Sequence, residues 1–192
     1  MIRDIKPKNV IEIGSGFTTY LSAQAILVNE QKDGHSCDLI AIEPYPNKTL
    51  QKGFPGLTSL KTTKLQEISL DYFNVLKEND ILFIDSSHIL NIGSDVAYEF
   101  LELLPRLNSG VYVHIHDIYL PYEYPRSMIF KEKKFYNEQY LLHALLINNS
   151  QFEVVYAGYY LHKHYSNDLK NAVPRYDPNS HQKPVSFWIR KK

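Results

Sequence analysis

Val10-Ile11-Glu12-Ile13-Gly14-Ser15-Gly16-Phe17-Thr18-Thr19 reads as a strand, a glycine turn and the start of a helix. The apolar run from Val10 to Ile13 is β-branched, and it stops at two glycines that can take positive φ and let a ligand approach bare backbone. Ser15 and Thr18 are placed to cap a helix beginning near Phe17 or Thr18. A helix N-terminus presents unpaired N–H groups, so the turn suits an anionic group such as a carboxylate or a phosphate. The dinucleotide fingerprint G-x-G-x-x-G needs a third glycine at position 19, which holds Thr19, and the dehydrogenase reading loses ground there.

Working outward, the same strand-and-acid pattern returns. The helix is expected over Thr18 to Glu30, with Leu21, Ala25 and Val28 at helical spacing. Asp38 to Glu43 reads as a second buried strand, and Glu43 lies one βαβ length after Glu12. An acid there can accept both hydroxyls of an adenosine ribose. Gly56 to Thr62 is a third strand. Ile81 to Ile84 is apolar throughout, as a central parallel strand should be, and ends at Asp85. Gly93 to Leu104 reads as a helix with Val96, Phe100, Leu103 and Leu104 on one face. Ser109 to Asp117 makes the fifth strand, ending in His116-Asp117. Phe152 to Tyr156 and Pro184 to Arg190 supply a sixth and a seventh.

The repetition of Glu12, Glu43, Asp85 and Asp117 at strand ends carries the most information. In a parallel α/β sheet the ligand crevice lies outside the carboxyl ends of the strands, so these acids converge on it. Carboxylates brought together repel one another and call for a cationic guest, a metal ion or partial protonation. A pyrophosphate would be opposed by such a rim.

Composition bounds the partners. Lys+Arg and Asp+Glu both total 21 in 192 residues, so no net field favours nucleic acid or an anionic membrane. The single cysteine, Cys37, cannot form an internal disulfide, and neither a signal-peptide run nor a membrane-spanning stretch is present in the sequence. A cytoplasmic protein of one domain over residues 1–192 is expected, with a poorly structured start at residues 1–8 and a small molecule as partner; homo-oligomerisation is left open. The 15 tyrosines concentrate between residues 112 and 165. Tyr119 to Tyr140, with its prolines and aromatics, leaves the sheet at the crevice edge and is expected to fold over the cofactor as a substrate lid. His162, His164 and His181 are expected in a loop of the tail, the first two as surface histidines rather than metal ligands.

Taken together, Glu12-x-Gly14-x-Gly16, Glu43, Leu82-Phe83-Ile84-Asp85-Ser86-Ser87-His88 and His114-Ile115-His116-Asp117 resemble the bacterial class I S-adenosylmethionine (SAM)-dependent methyltransferases grouped around small-molecule and sugar O-methyltransferases, macrocin-type enzymes included. Tyr124-Pro125-Arg126 and Asn137-Glu138-Gln139-Tyr140 look like one subgroup of them. The resemblance implies a Rossmann-like, mostly parallel seven-stranded sheet with helices on both faces. It implies SAM lying against Gly14, Ser15 and Gly16, with Glu12 and Asp85 toward its amino group and Gln66 or Glu67 bordering the adenine. It also implies a divalent ion such as Mg²⁺ held by acids after the fourth and fifth strands, here Asp85 with His116 and Asp117. Relatives often carry two adjacent acids where this chain has His116-Asp117, and imidazole suits Mg²⁺ less well than oxygen does. His88, three residues past Asp85, is the first candidate for the base that accepts the hydroxyl proton, because an unperturbed imidazole titrates near neutrality. His116 is the second. A metal-dependent oxygenase or hydroxylase on the same scaffold and a non-catalytic SAM-binding module are the alternatives, since a fold does not fix chemistry.

Overall fold

The computed structural model describes residues 1–192. β1 (Asn9–Ile13), β2 (Asp38–Ile42), β3 (Ser59–Lys61), β4 (Ile81–Ile84), β5 (Tyr112–Ile115), β6 (Phe152–Ala157) and β7 (Phe187–Lys191) form one sheet in the order β3-β2-β1-β4-β5-β7-β6. The first five strands run parallel, and β7 lies antiparallel to both β5 and β6. This is the expected Rossmann-like, mostly parallel sheet.

Alternation along the strands builds a core on each face. Ile11, Ile13, Leu82, Ile84, Val113 and Ile115 point to one side, where they meet Val96, Phe100, Leu103 and Leu142. Val10, Leu39, Ile81 and Phe83 point to the other, against Ala23 and Ile26. β4 is buried over its whole length, as a central strand covered on both faces must be. On the larger core lie α7 (Glu138–Leu146) and a segment in which α4 (Asp95–Tyr98) passes through a π turn (Glu99–Leu103) into α5 (Leu104–Arg106). Ser94 caps α4, its Oγ accepting from the Ala97 N–H at 3.1 Å. The other helices are α1 (Ile2–Ile5), α2 (Phe17–Asp33), α3 (Lys48–Lys52), α6 (Arg126–Phe130), α8 (Gly158–His164) and α9 (Ser166–Ala172). No helix is long and apolar enough to cross a membrane.

Three local expectations are corrected. The first eight residues are ordered: Ile2 and Ile5 of α1 pack on the smaller core, Arg3 bonds Asn29, and the Lys8 and Asn9 N–H groups donate to Asp80 Oδ1 at 2.9 and 2.8 Å. Their polar composition hid two apolar anchors. The face of α2 that enters the core is Thr19, Ser22, Ala23, Ile26 and Asn29, while Leu21 stays 71% exposed. Small and hydrogen-bonded side chains let this helix lie against the sheet, so its apolar spacing pointed the wrong way. The tail between β6 and β7 contains α8 and α9 rather than loop alone. His162 Nδ1 sits 2.6 Å from the Tyr176 hydroxyl and His164 Nε2 2.5 Å from that of Tyr122, contacts between distant residues that composition does not announce.

Candidate active site

The order of the parallel strands reverses at β1 and β4, and a crevice opens outside the carboxyl ends of such a pair. β1 and β4 run in register with Ile13 opposite Ile84, and the Asp85 N–H donates to the Ile13 carbonyl at 2.8 Å. Gly14 therefore turns directly beside Asp85. Its φ is +74°, and a Cβ there would run into the Asp85 carbonyl, so only glycine fits. A cleft of about 500 Å³ lies over this turn, lined by Gly14, Glu43, Tyr45, Leu65, Gln66 and Asp85 together with Ser86, Ser87 and Asp95. That volume and its polar rim are those of a small-molecule or cofactor site.

The other glycine behaves differently. Gly16 has φ −172° and open space where a Cβ would sit, so positive φ is required at Gly14 alone. Gly16 itself caps α2, its N–H donating to Thr19 Oγ1 at 3.0 Å. Neither Ser15 nor Thr18 caps the helix: Ser15 Oγ is buried without a partner, and the Thr18 hydroxyl donates to Glu12 Oε1 at 2.5 Å. Glu43 ties the turn together, accepting from the Ser15 N–H at 3.1 Å and from the Tyr45 N–H at 2.8 Å. Each of its oxygens has accepting capacity left, and the residue lines the cleft. Gln66 lines the cleft and donates to the Gly93 carbonyl at 2.8 Å, whereas Glu67 is outside it, bonded to the Thr63 hydroxyl at 2.5 Å.

Glu12 is also outside the lining. It is fully buried on the α2 side of β1, and its Oε2 has no partner. Burial, resisted by hydrogen bonds from Thr18 and Thr19, raises its carboxyl from 4.5 to about 7. From pH about 4.5 to about 7 the folded chain holds a proton that the unfolded chain has released, so Glu12 takes stability away as pH rises through that window and keeps it away above. Glu12→Gln should be more stable than the parent at pH 8 by up to about 3 kcal/mol, with the gap closing near pH 4. Denaturant titrations at both pH values measure this, and a pH-independent gap would refute it.

The second part of the site surrounds His88. It follows β4, has φ +59°, is 6% exposed and packs on the Tyr136 ring at a centroid distance of 4.4 Å. Its Nδ1 is 2.7 Å from Glu138 Oε2, while its Nε2 is 3.3 Å from Asp85 Oδ1 and 3.9 Å from Asp117 Oδ2. Burial opposes the imidazolium, but the hydrogen bonds to Asp85 and Glu138 and the charges of Glu138 and Asp117 outweigh it and raise the imidazole to about 10. The expectation of an unperturbed imidazole is thus corrected: three carboxylates hold a proton on it. Asp85 responds in the opposite direction. Although burial works to raise it, the His88 hydrogen bond and the charges of His116 and His88 bring it below the usual carboxylate range.

Glu138 is the functional residue that sequence reasoning missed. It stands fifty positions after His88, at the first turn of α7, fully buried. Its neighbours staple the same region. The Asn137 N–H donates to the His88 carbonyl at 3.1 Å, and Asn137 Oδ1 accepts from the Leu90 N–H at 2.5 Å. Gln139 holds the crossing segment, its Oε1 accepting from the Tyr119 N–H at 3.1 Å and its Nε2 donating to the Tyr122 carbonyl at 3.3 Å. The sequence signal was the run Asn137-Glu138-Gln139, already distinctive but without a visible partner. The segment from Tyr119 to Tyr140 consequently covers His88 and Asp117, and none of its residues lines the larger cleft.

The candidate metal donors do not assemble. His116 Nε2 lies 3.6 Å from Asp117 Oδ1 with its Nδ1 buried and unpartnered, and His88 Nε2 stands between Asp85 and Asp117. No three His, Cys, Asp or Glu side chains are spaced to hold an ion. Asp85, His116 and Asp117 are brought to one edge, yet as partners of imidazoles rather than as a ligand set.

A doubly wound sheet with a glycine turn at its switch point and acids after the second and fourth strands is the arrangement of a class I SAM-dependent methyltransferase. The family described as a methyltransferase domain matches residues 11–118. The chain belongs to that family. Two solved structures of CmcI, one with Mg and SAM and one apo, align with all of this chain and with 68% and 67% of their own, at 15% and 13% identity and a TM-score of 0.49 each. Among curated proteins none matches.

Proposed function

We propose that the protein is an O-methyltransferase that transfers the SAM methyl group to a hydroxyl of a small molecule such as a sugar or a secondary metabolite. The observation that carries this reading is the position of His88 Nε2 between Asp85, which lines the cofactor cleft, and Asp117, which lines a second pocket. A cofactor on one side and an acceptor on the other meet at one imidazole.

SAM when bound supplies a methyl on a sulfonium, a leaving group that needs no acid. The chain has then to orient the acceptor and remove one proton. Gly14 leaves room for the donor to lie on bare backbone, Glu43 receives the ribose hydroxyls, and Gln66 reaches the base. Asp85 faces the cationic part of the donor. In its unprotonated form, which gains population as pH rises toward about 10, His88 Nε2 takes the hydroxyl proton as the acceptor oxygen bonds the methyl, and Glu138 holds the ring by Nδ1 so that Nε2 is presented to the acceptor.

Calorimetry with S-adenosylhomocysteine tests the cofactor half. Glu43→Ala should weaken binding by about 1.5–3 kcal/mol, the loss of a charged hydrogen-bond acceptor. Unchanged affinity would remove Glu43 from the ribose. Mass-spectrometric detection of an acceptor gaining one methyl tests the reaction, and a hydroxylated product would favour the oxygenase alternative instead.

A further inference from the structure

The second pocket holds information about the acceptor. Its volume is about 320 Å³, and it is lined by Asp117, Tyr119, Lys134, Tyr159, His181 and Lys183 among others. It sits at the lower end of the range for small-molecule sites, the size of a monosaccharide rather than of a macrocycle. Tyr119 and Tyr159 pack edge to face at 5.0 Å and form one wall. Aromatic walls accept the C–H face of a sugar or a flat ring.

The lining carries two carboxylates, Asp117 and Glu132, and two lysines, Lys134 and Lys183, but they are not paired one to one. Asp117 sits beside His88 and His116. Glu132, also in the lining, is paired with Lys134 at 3.2 Å. Lys183 is half-buried, makes no ion pair, and its ammonium donates to the Pro178 carbonyl at 3.0 Å. His181 comes from the same tail segment. A half-buried ammonium with one carbonyl partner keeps two donors for a ligand, and a carboxylate or phosphate satisfies them with a charge-assisted bond. The carboxylate in the lining at the opposite functional role, Asp117, marks where the reacting hydroxyl belongs.

We propose that the acceptor is a small hydroxylated acid whose anionic group is received by Lys183, with Lys134 and His181 beside it, and whose reacting hydroxyl points at Asp117 and His88. This deepens the methyltransferase reading and rests on it. The tail between β6 and β7 then supplies acceptor specificity, while the elements from β1 to β5 supply the cofactor site.

The test is calorimetry on protein saturated with S-adenosylhomocysteine, titrated with glucose, glucuronate and glucose 6-phosphate. Glucuronate, glucose 6-phosphate or both should bind at least tenfold more tightly than glucose, and the tighter of the two identifies the anionic group. Lys183→Met should abolish that preference while S-adenosylhomocysteine affinity stays within twofold, which also shows that the variant is folded. Equal binding of all three sugars, no binding of any, or an undiminished preference in Lys183→Met would overturn the proposal. Loss of S-adenosylhomocysteine binding by the parent protein would instead strike the methyltransferase reading itself.

Discussion

His88→Ala should lower turnover about 10²–10⁴-fold, the usual worth of a general base, while S-adenosylhomocysteine affinity changes little. His116 is not expected to replace it: neither imidazole lines a pocket, but His88 Nε2 lies between Asp85 and Asp117, whereas His116 pairs with the other oxygen of Asp117. The substitution also leaves Glu138 buried without its cation. A buried charge stripped of its partner costs about 3–5 kcal/mol, so the variant should melt earlier, and kinetics belong well below its Tm. The pH profile separates the base from a merely structural ring. A base must be unprotonated, and the carboxylates around His88 raise it to about 10, so the parent's turnover should climb with pH across the neutral range. A cationic donor beside Asp85 brings that limb down from about 10. In His88→Ala the limb should vanish. A flat parent profile, or near-normal turnover in the variant, would remove His88 from the proton transfer.

Gly14→Ala should cost about 2–6 kcal/mol of stability and abolish measurable S-adenosylhomocysteine binding. Two separate costs combine. The φ of +74° is strained for any residue with a side chain, by about 1–3 kcal/mol. The new methyl group would also meet the backbone carbonyl of Asp85, a residue whose N–H is tied to the Ile13 carbonyl by the sheet ladder; overpacking of that kind costs about 1–3 kcal/mol. For a chain of this size each kcal/mol lowers Tm by about 2–4 °C. Gly16→Ala is the matched control. With extended backbone and empty space around its missing Cβ, it should shift Tm by less than about 2 °C. Thermal denaturation of both variants, with and without S-adenosylhomocysteine, measures the contrast. Equal effects at the two positions would mean that the turn is not anchored on Asp85.

What the sequence by itself determined was the sheet and its active edge. The apolar runs around Ile11, Ile40, Leu82 and Val113 are local, each buried by its own alternation or continuity, and parallel crossovers bring their carboxyl ends to one side whatever the loops do. Glu43, Asp85, His88 and Asp117 could therefore be placed together from position alone. Tertiary structure decided which of the acids face the cleft. Glu12 and Glu67 carry the right chemistry at the right distance along the chain, but one points under α2 and the other toward Thr63, because the direction of a side chain depends on what packs against its strand or turn. It also decided the state of His88. A histidine three residues past an acid reads as a neutral base until Glu138 arrives from fifty residues away with its buried carboxylate, and neither periodicity nor motif spacing records a partner brought in by the packing of α7. The same holds for the tail, where pairs such as Tyr122 with His164 and His162 with Tyr176 join segments whose contact exists only once the sheet has folded.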